Sequence, residues 1–238
     1  MNNKINLPSI LTEDAWFYKN DKYKEQLKPF LGKPYISYST MESWLEYRED
    51  FIKEKLVKLP QPFGIYKEFG SYLGTAYENG NFEHENPYGF IGQENLDLSK
   101  YRSDDAEYEK LIIIDRGDYI IIGFIDKFER LEDNSVWTND LKSGGSKKED
   151  KYASEDYTQV VLYSHALEQT GEEISRTDVL FVRREGSHVK PPLKISKEQF
   201  YIPIEYNEKR VEKALKKVDL AVKEISEIKN IFDKYFGN

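Results

Sequence analysis

In the stretch VWTNDLKSGG, residues 136–145, an aspartate and a lysine stand two positions apart, Asp140 and Lys142. Val136, Trp137 and Leu141 mark the stretch as a strand, and in a strand residues i and i+2 point to the same face. An acid and an ammonium group then share one face while Trp137 and Leu141 share the other. The pair is either a solvated strand face or a working pair that handles a cation and a phosphate together. Acid-x-Lys occurs three times, starting at Asp140, Glu149 and Glu227, but only the first copy lies on an expected strand. Asp126, one hairpin earlier, follows Ile120, Ile122 and Phe124 on one strand face. Burying it costs several kcal/mol unless a partner or metal compensates; the alternative is that it lies just past the sheet edge, in water. Gln159 and Tyr163 are four apart and share a face of an expected helix. Gln-x-x-x-Tyr occurs once in the chain.

These residues need a scaffold, and the sequence supplies one. Residues 1–34 read as an irregular lead with a short helix at about 12–19. Ser39 and Glu42 fit a capping box, opening a helix that runs through Met41, Trp44, Leu45, Ile52 and Leu56 until Pro60 and Pro62. A second helix covers about 65–79, with Tyr66, Phe69, Leu73 and Tyr77 on one side. Residues 80–109, rich in Asn, Gly, Asp and Glu, read as a loop or an inserted, mobile segment. The period then changes to that of strands at 111–115, 119–130 and 136–143, read as antiparallel, with Arg116-Gly117-Asp118 as a hairpin turn. A helix at 152–169, a strand at 178–184, an edge strand at 199–206 with Pro203, and a long amphipathic helix at about 208–235 complete the chain. The expectation is a mixed α/β (α+β) fold, a central sheet carrying helices, in a single domain spanning 1–238. Its core covers about 36–206, with an N-terminal extension (1–35) and a C-terminal helix (207–238).

Composition narrows the function. The 238 residues include no cysteine, which removes thiolate zinc sites, iron–sulfur clusters and cysteine nucleophiles and suits a cytoplasmic place of work. The N-terminus lacks an apolar signal core, and no apolar run of about 18 residues exists, so no membrane span is expected. The formal net charge of -8 argues against a clamp that binds DNA by bulk charge alone.

Five motifs in order, ISYSTMESW (36–44), FGSYLGTAYE (69–78), GFIDKF (123–128), NDLKSG (139–144) and QVVLY (159–163), resemble the RecB-like branch of the PD-(D/E)XK nuclease superfamily. The resemblance implies a restriction-endonuclease-like core and a metal-dependent phosphodiesterase acting on DNA. It makes Asp126 and Asp140 metal ligands, gives Lys142 a role in activating water or steadying the phosphate, and lets Gln159 and Tyr163 brace the site and touch the DNA backbone. This branch usually carries Gly-x-x-x-His on the preceding helix, with the His as a ligand. Here Gly74 is followed by Glu78, taken as the third metal ligand, while Gly80 and His84 form a literal copy in the loop-like stretch. The cysteines that hold an iron–sulfur cluster in CRISPR-associated relatives are absent.

Three carboxylates within about 4 Å repel pairwise by about 4 kcal/mol at an effective dielectric near 20, so such a site takes up a cation. Carboxylate oxygens suit Mg²⁺ or Mn²⁺. Arg183, Arg184, His188, Lys190, Lys147, Lys148 and Lys151 are candidates for DNA backbone contacts, and ordinary solvated side chains otherwise. Three functions remain open on sequence: a stand-alone exonuclease in DNA recombination, repair or turnover, a structure-specific or restriction-like endonuclease, and a DNA-binding module on a nuclease fold that does not cut.

Overall fold

Runs of β-branched residues such as Ile112–Ile114 and Ile120–Ile122 favour extended backbone, and they form two paired strands of a sheet. The computed structural model describes residues 5–60, 64–190 and 192–236. Its elements are α1 (Asp21–Leu27), β1 (Tyr35–Ile36), α2 (Tyr38–Glu46), α3 (Arg48–Phe51), α4 (Ile65–Asn79), β2 (Glu107–Asp115), β3 (Ile120–Arg130), β4 (Val136–Gly144), α5 (Ser146–Ala153), α6 (Gln159–Glu168), β5 (Ile174–Glu185), β6 (Lys194–Pro203) and α7 (Glu208–Phe236). Bonded neighbours run β1-β3-β4-β5-β6, with β2 also on β3. The β1–β3 and β4–β5 pairs are parallel, and β3–β4 and β5–β6 are antiparallel. The fold is the mixed α/β sheet with flanking helices that the patterning predicts, and Pro203 closes an edge strand. No helix among the described residues is long and apolar enough to cross a membrane.

The chain divides into two compact units. The first holds Met1–Gln61, Leu111–Gly123 and Glu212–Asn238. Its core includes Leu11, Leu27, Trp44, Phe51, Ile114, Ile120, Val218 and Ile225. The Trp44 indole donates to Glu224 Oε2 (2.8 Å) on α7. The Arg-Gly-Asp stretch is a turn, closed by Arg116 N–H to Tyr119 O (2.9 Å), and the Arg116 guanidinium pairs with Asp219 (2.8 Å).

The second unit holds Pro62–Lys110 and Phe124–Val211. Phe69, Leu73 and Ala76 of α4 cluster with Leu180 and Val182 of β5 and Ile195 of β6. Helix α6 is buried nearly all round, through Val160, Val161, Leu162, Ala166 and Leu167, as an apolar helix must be. On its buried side the Ser164 hydroxyl lies 2.7 Å from that of Thr138 and 3.0 Å from that of Thr177. A second polar network ties β4 to β5 and α4. Asp178, buried, accepts from Asn139 Nδ2 (2.5 Å), Trp137 Nε1 (3.1 Å) and Arg176 Nε (2.6 Å). The Tyr77 hydroxyl of α4 donates to Asn139 Oδ1 (3.1 Å).

Several local expectations give way. Residues 12–19 form turns, and the first helix starts later because the Asn20 side chain caps it by accepting from Lys22 N–H (3.0 Å). The cap of α2 is Ser37, not Ser39: its hydroxyl accepts from Thr40 N–H (3.2 Å). The continuous helix to residue 56 breaks at Tyr47 (φ -136) and resumes as α3 and a wide π-type turn, Ile52–Leu56. Pro62 lies outside the described residues. The single helix expected at 152–169 is two helices, with Ser154 extended between them. There the Arg210 guanidinium donates to the Tyr157 carbonyl (2.9 Å), a tertiary bond that periodicity does not register.

Asp178→Ala leaves Asn139, Trp137 and Arg176 without their common acceptor. The expected loss is about 2–3 kcal/mol of unfolding free energy, measured by urea denaturation. A change within experimental error would remove the network from the list of what holds β4 in place.

Candidate active site

Strands β3 and β4 pair from Arg130↔Val136 to Lys127↔Asn139. One further step in that register sets Asp126 opposite Asp140. At that step a side chain takes over, and Asp126 Oδ2 accepts the Leu141 N–H at 2.6 Å. β4 runs on beside β5, with Asp140 next to Val179 and Lys142 next to Phe181. Asp140 and Lys142 do share a face, and the ammonium lies 2.5 Å from Asp140 Oδ2. The other two acid-x-Lys copies lie within α5 and α7, where i and i+2 side chains diverge.

Asp140 is fully buried. Its Oδ2 also accepts from the Tyr157 hydroxyl (2.8 Å), while Oδ1 has no hydrogen-bond partner. Burial, and next the Asp140 charge, push the Asp126 carboxyl well above the usual carboxylate range; Lys142 and the Leu141 N–H counter this only in part. Burial pulls the Lys142 ammonium down, but Asp140 and Asp126 outweigh it, so its affinity for the proton ends above the ordinary value. In this setting Lys142 is an ammonium and not a free base. Gln159 Nε2 donates to the Tyr163 hydroxyl (2.6 Å), so the i, i+4 pair shares a face as expected. The Tyr157 hydroxyl lies 3.1 Å from Gln159 Oε1 and links that pair to Asp140. Burial, then the Asp140 charge, raise the Tyr163 phenol.

An open cleft of about 380 Å³ exposes the site, lined by Asp126 and Lys142 from the sheet and by Tyr66, Gly70, Ser71 and Gly74 from α4. A Cβ built on Gly70 or Gly74 meets nothing within 4 Å, so packing does not require glycine there. A mid-helix glycine costs about 0.8–1.0 kcal/mol against alanine, and close approach of a ligand is one use that offsets it.

The carboxylates fit a hard divalent cation. Asp140 Oδ1 is buried and unpartnered, and the Asp126 carboxyl carries a proton affinity that a cation would displace. Glu78 is exposed, and its carbonyl accepts from Arg102 Nη1 (2.6 Å). His84 sits elsewhere, with Nε2 3.2 Å from the Tyr72 carbonyl. Among the described residues no three His, Cys, Asp or Glu side chains come together. The structure thus joins Asp126, Asp140 and Lys142 directly, and Gln159 and Tyr163 through Tyr157, but leaves Glu78 and His84 apart from them. Mg²⁺ is commonly held by one or two carboxylates with water and substrate phosphate supplying the rest, which two aspartates satisfy.

Sequence reading missed Tyr157, because nothing distinguishes one tyrosine among 18 except its place two residues before Gln159. Of the basic candidates, Arg183 is engaged by Glu149 (2.6 Å) and by Glu198. Arg184 stacks over the Tyr66 ring at 3.9 Å, and the Tyr66 hydroxyl lies 3.1 Å from His188 Nδ1, so this trio borders the cleft. Lys147, Lys148 and Lys190 are exposed, and Lys151 is half-buried on α5.

Residues 68–235 match the family model of the PD-(D/E)XK nuclease superfamily. Among solved structures, a protein from Eubacterium rectale named a "putative exonuclease" is similar in fold, with a TM-score of 0.57 and 14% identity, over 93% of this chain and 88% of that one. The protein SSO0001 aligns over 86% of this chain and 84% of its own at 16% identity, with a TM-score of 0.40. No curated protein matches the sequence.

Asp126 takes up proton affinity on folding. Its charged form therefore penalises the fold increasingly as pH rises from the unfolded value, about 3.9, through the raised folded one, and the penalty vanishes below about pH 4. Asp126→Asn keeps an acceptor for the Leu141 N–H and removes the charge. In EDTA at pH 7 it should raise Tm by about 2–4 °C, the shift that ~1 kcal/mol makes in a chain of this size, and the gain should vanish toward pH 4. Mn²⁺ should stabilise the unaltered protein but not this variant. Identical melting of the two proteins at every pH would sink the buried-pair account.

Proposed function

The chain belongs to the PD-(D/E)XK nuclease superfamily, and from that premise we propose that it is a Mg²⁺- or Mn²⁺-dependent deoxyribonuclease, a stand-alone exonuclease of the RecB-like type acting in DNA recombination, repair or turnover. The observation that carries this reading is the pairing of buried Asp140, one oxygen unpartnered, with the Lys142 ammonium 2.5 Å from the other. Nucleases of this superfamily generally use divalent metals. On this reading residues 36–206 form the nuclease core, and a cysteine-free chain suits the cytoplasm.

Asp126 and Asp140 would hold the metal, which would supply polarisation of the scissile phosphate and a lowered pKa for the attacking water. Lys142 is protonated, and its ammonium neutralises charge that builds on the phosphate oxygens as the water attacks. Proton removal from that water falls to a solvent or phosphate oxygen rather than to Lys142. Tyr157 holds Asp140 Oδ2, and Gln159 and Tyr163 hold Tyr157. They fix the angle of the carboxylate and offer polar groups to the DNA backbone. The choice of exonuclease over endonuclease rests on the resemblance to RecB-like exonucleases alone.

Asp140→Asn and Asp126→Asn should each lower cleavage at least about 100-fold, about 2.7 kcal/mol of barrier, while Glu78→Ala stays within about threefold because Glu78 lies apart from both. Near-normal turnover in either aspartate variant would defeat the site assignment. The assay uses end-labelled linear and covalently closed circular DNA, single- and double-stranded, with Mg²⁺, Mn²⁺ or EDTA. Loss of linear substrate alone is the expected result. Cutting of circles would make the protein an endonuclease, and retention without cutting would make it a binding module.

A further inference from the structure

A second cavity, about 240 Å³, adjoins the cleft along α4, lined by Glu68, Ser71, Tyr72, Thr75, His84, Glu85 and Tyr88 among others. Ser71 lines both this cavity and the carboxylate cleft. Its chemistry is lopsided. The His84 Nε2 lies 3.2 Å from the Tyr72 carbonyl, which only accepts, so Nε2 is the donor of that bond. That Nδ1 is buried and has no partner. Among the described residues neither Glu68 nor Glu85 has an ion-pair or hydrogen-bond partner for its carboxylate. The cavity therefore offers two carboxylates and no cation paired with either. Its apolar wall is aromatic: the Tyr72 ring lies 4.6 Å from His84 and 5.5 Å from Phe90, and Tyr88, 5.7 Å from Phe90, keeps 41% of its surface exposed.

Carboxylates with no cation beside them repel phosphate, unlike the Asp126/Asp140 cleft with its Lys142, so the sugar-phosphate backbone does not enter. A flat ring that stacks on tyrosine and donates N–H groups does. Guanine, adenine and cytosine each carry an exocyclic amine, whereas thymine does not. Stacking requires that the base be unpaired. Ser71 is shared by both cavities, and Gly70 and Gly74 leave the cleft side of α4 bare, so a strand lying in the cleft passes directly beside the second cavity.

We infer that this cavity is a base pocket. It holds one unpaired, amine-bearing nucleobase, guanine being the best donor, of a strand whose phosphate lies in the Asp126/Asp140 cleft. The inference rests on the nuclease reading of that cleft and adds a single-strand requirement with a base preference.

The test is fluorescence anisotropy in EDTA, using the whole protein and labelled single-stranded dT12, with and without one central dG, and with an abasic residue in its place. The dG strand should bind at least about fivefold tighter than dT12, and the abasic strand no tighter. Glu68→Gln with Glu85→Gln should erase the dG advantage. Tyr88→Ala should weaken both strands about fivefold or more, the lower end of one stacked base; circular dichroism checks that both variants fold. Equal affinities for all three strands, or variants that bind like the unaltered protein, overturn the pocket. Cleaving the same strands in Mg²⁺ separates the two claims. Cutting without a dG advantage overturns the pocket alone. A dG advantage lost in the variants but no cutting overturns the nuclease reading and supports the pocket.

Discussion

The hydrogen bond from the Leu141 N–H to Asp126 Oδ2 stands where the pairing of β3 with β4 would otherwise continue. It stabilises a carboxylate that burial and a second carboxylate both oppose. Because the acceptor is a side chain, β4 is released from β3 at this step and continues along β5. The opened strand end lets Asp126 and Lys142 line a cleft instead of facing a closed sheet. Removing one carboxylate relieves the repulsion, as would a cation, and the fold keeps both.

The surroundings restrict how that repulsion is relieved. Asn139 and Trp137 point away from Asp140 and bind Asp178, so the strand does not rotate to expose its acid. On the acid's own face Tyr157, backed by Gln159 and Tyr163, holds Oδ2. The Tyr157 backbone is in turn fixed by Arg210, and α6 by the Ser164 hydroxyl among Thr138 and Thr177. Each of these bonds pairs a polar group inside the protein, where losing a partner costs about 1–3 kcal/mol, so the directions of Asp140 and Lys142 are set with little slack.

Helix α4 plays a different part. One of its faces packs Phe69, Leu73 and Ala76 into the core, and another presents Gly70, Ser71 and Gly74 to the cleft. A helix built only for stability would carry alanine at both glycines, since a Cβ there meets nothing. The sequence keeps the poorer helix former where the surface lines the carboxylate cleft, which ties a local cost in helix propensity to access for a ligand.

Sequence alone determined whatever depends on residues near one another in the chain. The 2-residue period set Asp140 and Lys142 on one face of β4, the 4-residue spacing set Gln159 beside Tyr163, and α4, with Ile65 and Asn79 as its ends, was legible from its apolar stripe. The order of the five motifs pointed to the superfamily. What depends on distant partners was decided only by the tertiary structure. Arg210 acts on residues more than 50 positions earlier to end α5 before Tyr157, and so the expected single helix became two. Glu78 and Gly74 match a motif in spacing, yet the side chain is exposed, because spacing along a helix fixes an angle about its axis and not what lies opposite. Tyr157 reaches Asp140 across 17 residues through a packing that no local period encodes.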